Sequence, residues 1–378
     1  MITSFAIAVS HGRLTFHPAL NHWRIIPMLK AKFVKPDKSF KGQHSVPLKI
    51  ILTNTGKQDL SVLTRNTPLD GLVTDCLDVT VNGKKVEYDG PIVKRAPPTA
   101  SDYTLIKAGQ SVEAEFVVSD AYDTSRPGTY KVKLKTPILD ARPKEAKLAA
   151  ALKSIDFVPK VHAIKDQTSF KVEKGAALRL TLGAAARSKE AAKMATAKVS
   201  ASTLRSAVKK KPSAKTLLTP VISGGTATKK AAARKAHTAG HGLCVNALAA
   251  LRNDPHYVEW FGAYTAARFK KVTSNYTAVK TRMESVPFTY DLSGSGCGSG
   301  VFAYTYKGTS TIWFCDQFWA AAATGTDSKA GTVVHEHTHS DASTDDNVYG
   351  QAACRSLAIS QPGKAIENAD SHEYFAGG

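Results

Sequence analysis

The sequence contains no run of about 18 or more apolar residues, so no membrane-spanning helix is expected. No basic leader precedes the apolar stretch from Met1 to Val9, and Arg13 and His17 follow closely, which makes a poor secretory signal and puts the chain's true start in question. Cysteine is scarce in the first 240 residues, where Cys76 stands alone, whereas Cys244, Cys297, Cys315 and Cys354 crowd into the remainder. An even set confined to one region fits two disulfides formed in an oxidising compartment, with three pairings open. Aromatics are almost missing between Ala184 and Gly240, and Glu190 is the one acid against 13 basic residues over 187–235. Such a stretch buries too little apolar surface to offset its ordering entropy and reads as a flexible linker. Basic Ala/Lys chains also bind phosphate backbones non-specifically, so a nucleic-acid-binding protein is the rival reading, weakened by the lack of interleaved aromatics for base stacking.

What remains is a chain of 378 residues with 43% hydrophobic content, enough for two cores. Its net charge of +20 is uneven: residues 187–235 carry +12, while residues 238–378 carry −3. Between Leu29 and Thr136 short alternating runs are broken by turn signals, among them Leu77–Val81, Asn82-Gly83 and Lys85–Tyr88, a hairpin of the Asn-Gly type. This spacing predicts an all-β, sandwich-like domain over 29–183, after an unassigned segment 1–28 and before the disordered basic linker 184–240. Residues 241–378 change character. Two helices are expected over 256–283, then a hairpin of Val301–Tyr306 with Thr311–Cys315, then helical stretches around 327–340, 350–359 and 363–376, an α+β domain.

The chemistry sits in His335-Glu336-His337-Thr338-His339, after a helix start capped by Asp327 or Ser328. At 3.6 residues per turn His335 and His339 share a face and can hold one zinc ion, with Glu336 alongside as proton acceptor for an attacking water. His337 points about 200° away and is expected to pack elsewhere. A catalytic zinc needs a third protein ligand. Ser340-Asp341-Ala342-Ser343 offers no histidine, so Glu367 or Glu373 on a later helix, or Asp341, Asp345 or Asp346 in the next loop, remain open. A metal-binding module without turnover is the second rival.

The stretch Ser343-Thr344-Asp345-Asp346-Asn347-Val348-Tyr349-Gly350 resembles the Gly-Thr-x-Asp-x-x-Tyr-Gly signature of the deuterolysin family, the aspzincins, with Ser343 in place of the usual glycine. The likeness extends over residues 241–376 and is nearest to the peptidyl-Lys metalloendopeptidases, through Trp260-Phe261-Gly262, Phe302-Ala303-Tyr304, Thr324-Gly325-Thr326-Asp327-Ser328, Tyr349-Gly350-Gln351-Ala352-Ala353 and Asn368–Phe375. It implies a zincin-like catalytic domain with one Zn2+ per chain, Asp346 as third ligand beside His335 and His339, and Tyr349 as the phenol that stabilises the oxyanion. Asp370 and Glu373, three apart and so on one helical face, would line an S1′ pocket for lysine. Cleavage is then expected on the amino side of lysine in protein or peptide substrates. The resemblance also implies a Cys297–Cys315 disulfide and suggests Cys244–Cys354 as a compensating bridge. Asn66-Thr67-Pro68-Leu69 and Lys94-Arg95-Ala96-Pro97-Pro98 resemble the precursor region of bacterial relatives, so residues 29–183 would be the enzyme's own prodomain, with a lasting substrate-binding module as the competing reading. The expected protein is a secreted, extracellular, monomeric zymogen that processes itself in the lysine-rich linker.

Overall fold

A computed structural model describes residues 29–36, 39–41, 45–144, 160–174, 180–202 and 216–377. The expectations for residues 1–28 and for Lys209-Lys210-Lys211-Pro212 lie outside the described residues. The N-terminal half is β-rich. Its described strands are β1 (Leu29–Val34), β2 (Phe40–Lys41), β3 (Pro47–Asn54), β4 (Leu60–Leu63), β5 (Leu77–Val81), β6 (Lys84–Val86), β7 (Ile92–Arg95), β8 (Tyr103–Ile106), β9 (Ser111–Val117), β10 (Gly128–Leu134), β11 (Ala141–Pro143) and β12 (Gln167–Glu173).

Period-2 patterning sets which face is inside. In β1 the residues Leu29, Ala31 and Phe33 are buried while Lys30 and Lys32 face out, and β3 buries Leu48, Ile50 and Leu52 in the same way. These faces close on one core with Val79, Phe116, Tyr130, Val132 and Phe170. The Asn-Gly hairpin forms where it was expected: Asn82 and Gly83 both take positive φ, 48° and 80°, and β5 pairs with β6.

Three sheets, ordered β1-β3-β9, β2-β12-β10-β5-β6 and β11-β4-β8, account for eleven of these strands. The remaining strand, β7, leaves them. It pairs antiparallel with β15 (Val301–Thr305), an edge of the C-terminal sheet, whose order is β13 (Val221–Ser223), β14 (Thr289–Asp291), β16 (Thr311–Phe314), β15, β7. The β15–β16 pair is the expected hairpin.

Around this sheet stand α1 (Leu182–Ser202), α2 (Ala227–Ala250), α3 (Pro255–Phe261), α4 (Ala266–Ser285), α5 (Asp316–Ala320), α6 (Lys329–Ala342), α7 (Gln351–Ser360), α8 (Pro362–Ala365) and α9 (Ala369–Phe375). Helix α6 is the central element: every residue from Ala330 to Ser340 is buried. Ser328, not Asp327, caps it, its Oγ accepting from the Gly331 N–H at 3.0 Å. The helix ends at Ser343 in the left-handed region, φ 59°, where a side chain costs about 1–2 kcal/mol that glycine avoids.

Two expectations need correction. Residues 184–240 are not a linker throughout, because α1 and α2 occupy much of the stretch. Alanine is the strongest helix former, and small residues allow close helix packing: Ala233, Ala236 and Gly240 are buried, and a Cβ at Gly240 would lie 2.7 Å from Val333 of α6. Helix α1 bridges the two halves. Its Arg187 pairs with Asp89 at 2.7 Å and donates to the Lys307 carbonyl, while Glu190 accepts from the Ser310 N–H and the Thr311 hydroxyl.

The second correction concerns the cysteines. Cys297–Cys315 is a disulfide, but Cys244 and Cys354 are both free and buried. The Cys244 thiol lies near Asp341 and Tyr276, whereas Cys354 accepts from Asn368 and lies near Ser371 and Asp370. Each thiol serves as a small apolar filler in its own surroundings. The bridge that does form spans 18 residues. Replacing both of its cysteines by serine is expected to cost about 3 kcal/mol of stability, read by urea unfolding against the parent chain.

Candidate active site

Helix α6 brings His335 and His339 to one face with their Nε2 atoms 3.0 Å apart. The loop that follows turns back so that Asp346 Oδ1 lies 3.1 Å from His335 Nε2 and 3.2 Å from His339 Nε2. That loop is held by its own polar contacts. His339 Nδ1 meets the Thr344 carbonyl at 3.0 Å, which leaves Nε2 facing the centre. The Asn368 side chain accepts from the N–H groups of Asn347 and Val348, and Asp345 donates its N–H to the Glu367 carbonyl. The other proposed third ligands are engaged elsewhere: Asp341 pairs with Arg282 and His337, Asp345 with Lys307, and Glu367 is exposed. His337 packs as expected, between Tyr290 at 3.0 Å and Asp341 at 3.0 Å.

The donor atoms of His335, His339 and Asp346 lie within 4.8 Å of one another. Both oxygens of Asp346 and both of Glu336 are buried without a hydrogen-bond partner. Orphaned buried acceptors cost roughly 1–3 kcal/mol each, more when charged, so their convergence on two imidazole nitrogens fits a bound cation. Burial alone would raise the Asp346 carboxyl; His339 and His335 hold it well below the usual carboxylate range instead. Burial pushes Glu336 up to about 8, with Asp346 adding to the rise and His335 and Lys94 opposing it. A cation beside it would lower that value.

The other side of His335 opens on a second acidic group. Asp370 and Glu373, on α9, are both buried, and between them stands Lys94 from strand β7 of the N-terminal half, 1% exposed. Its Nζ lies 2.7 Å from Glu373 Oε2, 2.9 Å from Asp327 Oδ1 and 3.3 Å from Asp370 Oδ1, with the rings of Phe302 and Tyr374 at 5.3 and 5.9 Å. Desolvation would lower the Lys94 pKa, but the three carboxylates outweigh it and raise it well above the ordinary value. Charges taken out of water this completely persist only when paired. Gly331 of α6 makes room: a Cβ there would sit 2.5 Å from Glu373 Oε1.

The backbone around Lys94 is placed as closely as its side chain. β7 runs antiparallel to β15 with Lys94 opposite Ala303 and Val93 opposite Tyr304, and the Ala96 N–H donates to the Gly300 carbonyl. The Val93 carbonyl accepts from the Tyr349 hydroxyl at 2.8 Å. Neither Lys94 nor Asp327 was singled out as a site residue from the sequence. Lys94 is one basic residue among many in its half, while Asp327 presents as a helix cap; its left-handed φ of 51° is a feature of the folded loop alone.

Three converging groups able to hold a metal ion, with a glutamate beside them and set along a sheet edge that already pairs with an extended chain, meet the needs of internal peptide-bond hydrolysis and fit a metallo-endopeptidase. The chain belongs to the aspzincin family and is a zinc metalloendopeptidase: the family model, described as lysine-specific metallo-endopeptidase, matches residues 246–377. The chain is similar to an extracellular protease of Aeromonas hydrophila, 33% identical over 338 residues that cover 88% of this chain and 87% of the relative. It is also similar to a peptidyl-Lys metalloendopeptidase of Grifola frondosa, 31% identical over 370 residues, covering 93% and 92%. Among solved structures, a zinc peptidase from Grifola frondosa is 36% identical, covering 40% of this chain and 96% of that one at a TM-score of 0.38.

Proposed function

We propose that this protein is a secreted zymogen of an endopeptidase that cuts on the amino side of lysine, with one zinc ion held by His335, His339 and Asp346. The observation that carries the reading is Lys94, the chain's own lysine, buried among Asp370, Glu373 and Asp327 with the carbonyl just before it on the Tyr349 hydroxyl. A substrate lysine at P1′ would enter the same acids while its chain extends along β15, as β7 does here. Secretion is supported by the printed name of the Aeromonas relative and by the Cys297–Cys315 disulfide. Among the described residues no helix is long and apolar enough to cross a membrane.

When bound at this position, zinc supplies Lewis acidity to the reaction. Glu336 takes the proton of the attacking water and returns it to the leaving amine. Tyr349 donates to the carbonyl oxygen as charge develops there. Asp370, Glu373 and Asp327 fix the P1′ ammonium and so hold the bond to be cut beside Glu336. In the zymogen β7 occupies this cleft. Arg95, next to Lys94, is tied to Asp70 of its own half at 2.7 Å, and Tyr88 donates to the Pro91 carbonyl, so the strand is stiff on both sides of the pocket. Processing in the lysine-rich stretch after α1 would separate the halves.

The experiment is a pair of reporter peptides that differ only in lysine or leucine at P1′, given to the processed wild-type enzyme. Hydrolysis of the lysine peptide alone, abolished by a chelator and restored by zinc, is expected; equal rates on both would sink the lysine reading. Gly331→Ala adds a methyl against Glu373. Losing that one charge-assisted contact, worth about 1.5–3 kcal/mol, should cut the lysine-over-leucine ratio by roughly 10- to 100-fold. Zinc content should stay unchanged, as the metal donors are untouched.

A further inference from the structure

Asp370 has more partners than a simple pocket acid needs. Its carboxylate is buried and has four polar neighbours: Oδ1 accepts from Lys94 Nζ at 3.3 Å and lies 2.8 Å from His335 Nδ1, an ion-pair contact whose ring N–H is not aligned as a hydrogen bond, while Oδ2 accepts from the Gly350 N–H at 2.7 Å and from the Tyr374 hydroxyl at 3.1 Å. The opposite nitrogen of the same imidazole, His335 Nε2, faces Asp346 and His339. One carboxylate therefore stands between the lysine pocket and the metal position. Glu373 differs: its Oε2 is 2.7 Å from Lys94 Nζ but 3.5 Å from His335 Nδ1, and its Oε1 has no hydrogen-bond partner.

We propose that Asp370 is the positioning residue for His335, holding its proton on Nδ1 so that Nε2 is free for zinc, and that through this shared carboxylate a lysine side chain in the pocket and zinc at the metal position weaken each other's binding. The proposal rests on the zinc and lysine assignments made above. A carboxylate behind a metal-binding histidine fixes its tautomer and raises its basicity, and loss of such a partner costs about 10- to 100-fold in metal affinity. Asparagine cannot substitute, because one acceptor oxygen and one amide nitrogen would face four donors. An ammonium on Oδ1 draws on the same negative charge that strengthens His335, and linkage makes the effect reciprocal. Lysine at P1′ would thus leave more positive charge on the metal in the productive complex than leucine does.

The test uses the full chain and compares Asp370→Asn with Glu373→Gln, each of which removes one pocket charge. Zinc affinity is measured by chelator competition, and the ligand field by the visible bands of the cobalt-substituted protein. The expected result is a 10- to 100-fold weaker zinc affinity and shifted cobalt bands in Asp370→Asn, against less than about threefold and unshifted bands in Glu373→Gln. Equal zinc affinities in the two variants would overturn the positioning role. Asp370→Ser is the second variant should Asp370→Asn fail to fold, with the same expectation. The lysine-over-leucine ratio of the processed forms separates the two readings: if it is unchanged in both variants while the zinc affinities part, the lysine pocket assignment fails and the positioning role stands. In wild type with its processed cleft open, a lysyl peptide should weaken zinc binding several-fold more than its leucyl counterpart, and no difference would overturn the coupling.

Discussion

A full-length chain carrying Lys94→Ala is expected to hydrolyse a short lysyl reporter peptide at least ~10²-fold faster than the wild-type precursor, in initial rates taken while the chain is still intact. The wild-type ammonium has three carboxylate partners and is almost fully enclosed, so its removal leaves Asp370 and Glu373 buried without their counter-ion. Breaking a buried ion pair from one side costs about 3–5 kcal/mol, or roughly 10²- to 4 × 10³-fold in the docking of β7. Lys94→Arg should release less, because it keeps the charge, although its planar fork does not reproduce a compact ammonium. A Lys94→Ala precursor as silent as wild type would show that other contacts hold the cleft shut. The Arg187–Asp89 pair and the Tyr349–Val93 hydrogen bond would then be the next to examine.

The second large effect separates metal binding from proton transfer. Asp346→Ala removes one of three donors and should lose most of the bound zinc together with activity, as measured by metal analysis of the dialysed protein. Glu336→Gln should keep close to one zinc per chain yet lower kcat by about 10²- to 10⁴-fold, the contribution usual for a positioned general base. The full-length Glu336→Gln chain should also remain uncut on its own. Zinc retained in Asp346→Ala and lost in Glu367→Ala would move the third ligand to α8's end of the molecule and contradict the site as drawn.

Much of the site follows a local rule. His335 and His339 lie four apart on a helix, and that spacing alone puts them on one face; Asp370 and Glu373 share a face for the same reason. Asp346 required the resemblance, because Asp341, Asp345 and Asp346 all follow the histidines closely in sequence, and it is the folded turn, with Asn368 holding the N–H groups of Asn347 and Val348, that sets Asp346 against both imidazoles. The cysteines divide along similar lines: Cys297 and Cys315 face each other across a short excursion, whereas pairing Cys244 with Cys354 would have needed two separate parts of the core to meet. The alanine-rich stretch was misjudged because composition reports average polarity, while α2 needs only a narrow stripe of small residues to pack on α6. Lys94 was the least legible. Its partners lie more than 230 positions away, and the periodicity of β7 gives no sign that the strand joins another domain's sheet.

This placement gives Lys94 and a substrate the same requirements. Three acids around one compact cation favour lysine over leucine through charge, and over arginine through size and shape. On the proposed reading, the Lys94 contact and a preference for lysine would therefore rise and fall together when the pocket is altered, as in Gly331→Ala.

The most direct measurement is mass-spectrometric mapping of an unfolded standard protein digested by the processed wild-type enzyme. The account predicts that nearly all new N-termini begin with lysine. New N-termini spread over apolar residues, with lysine no more frequent than its abundance in the substrate, would contradict it.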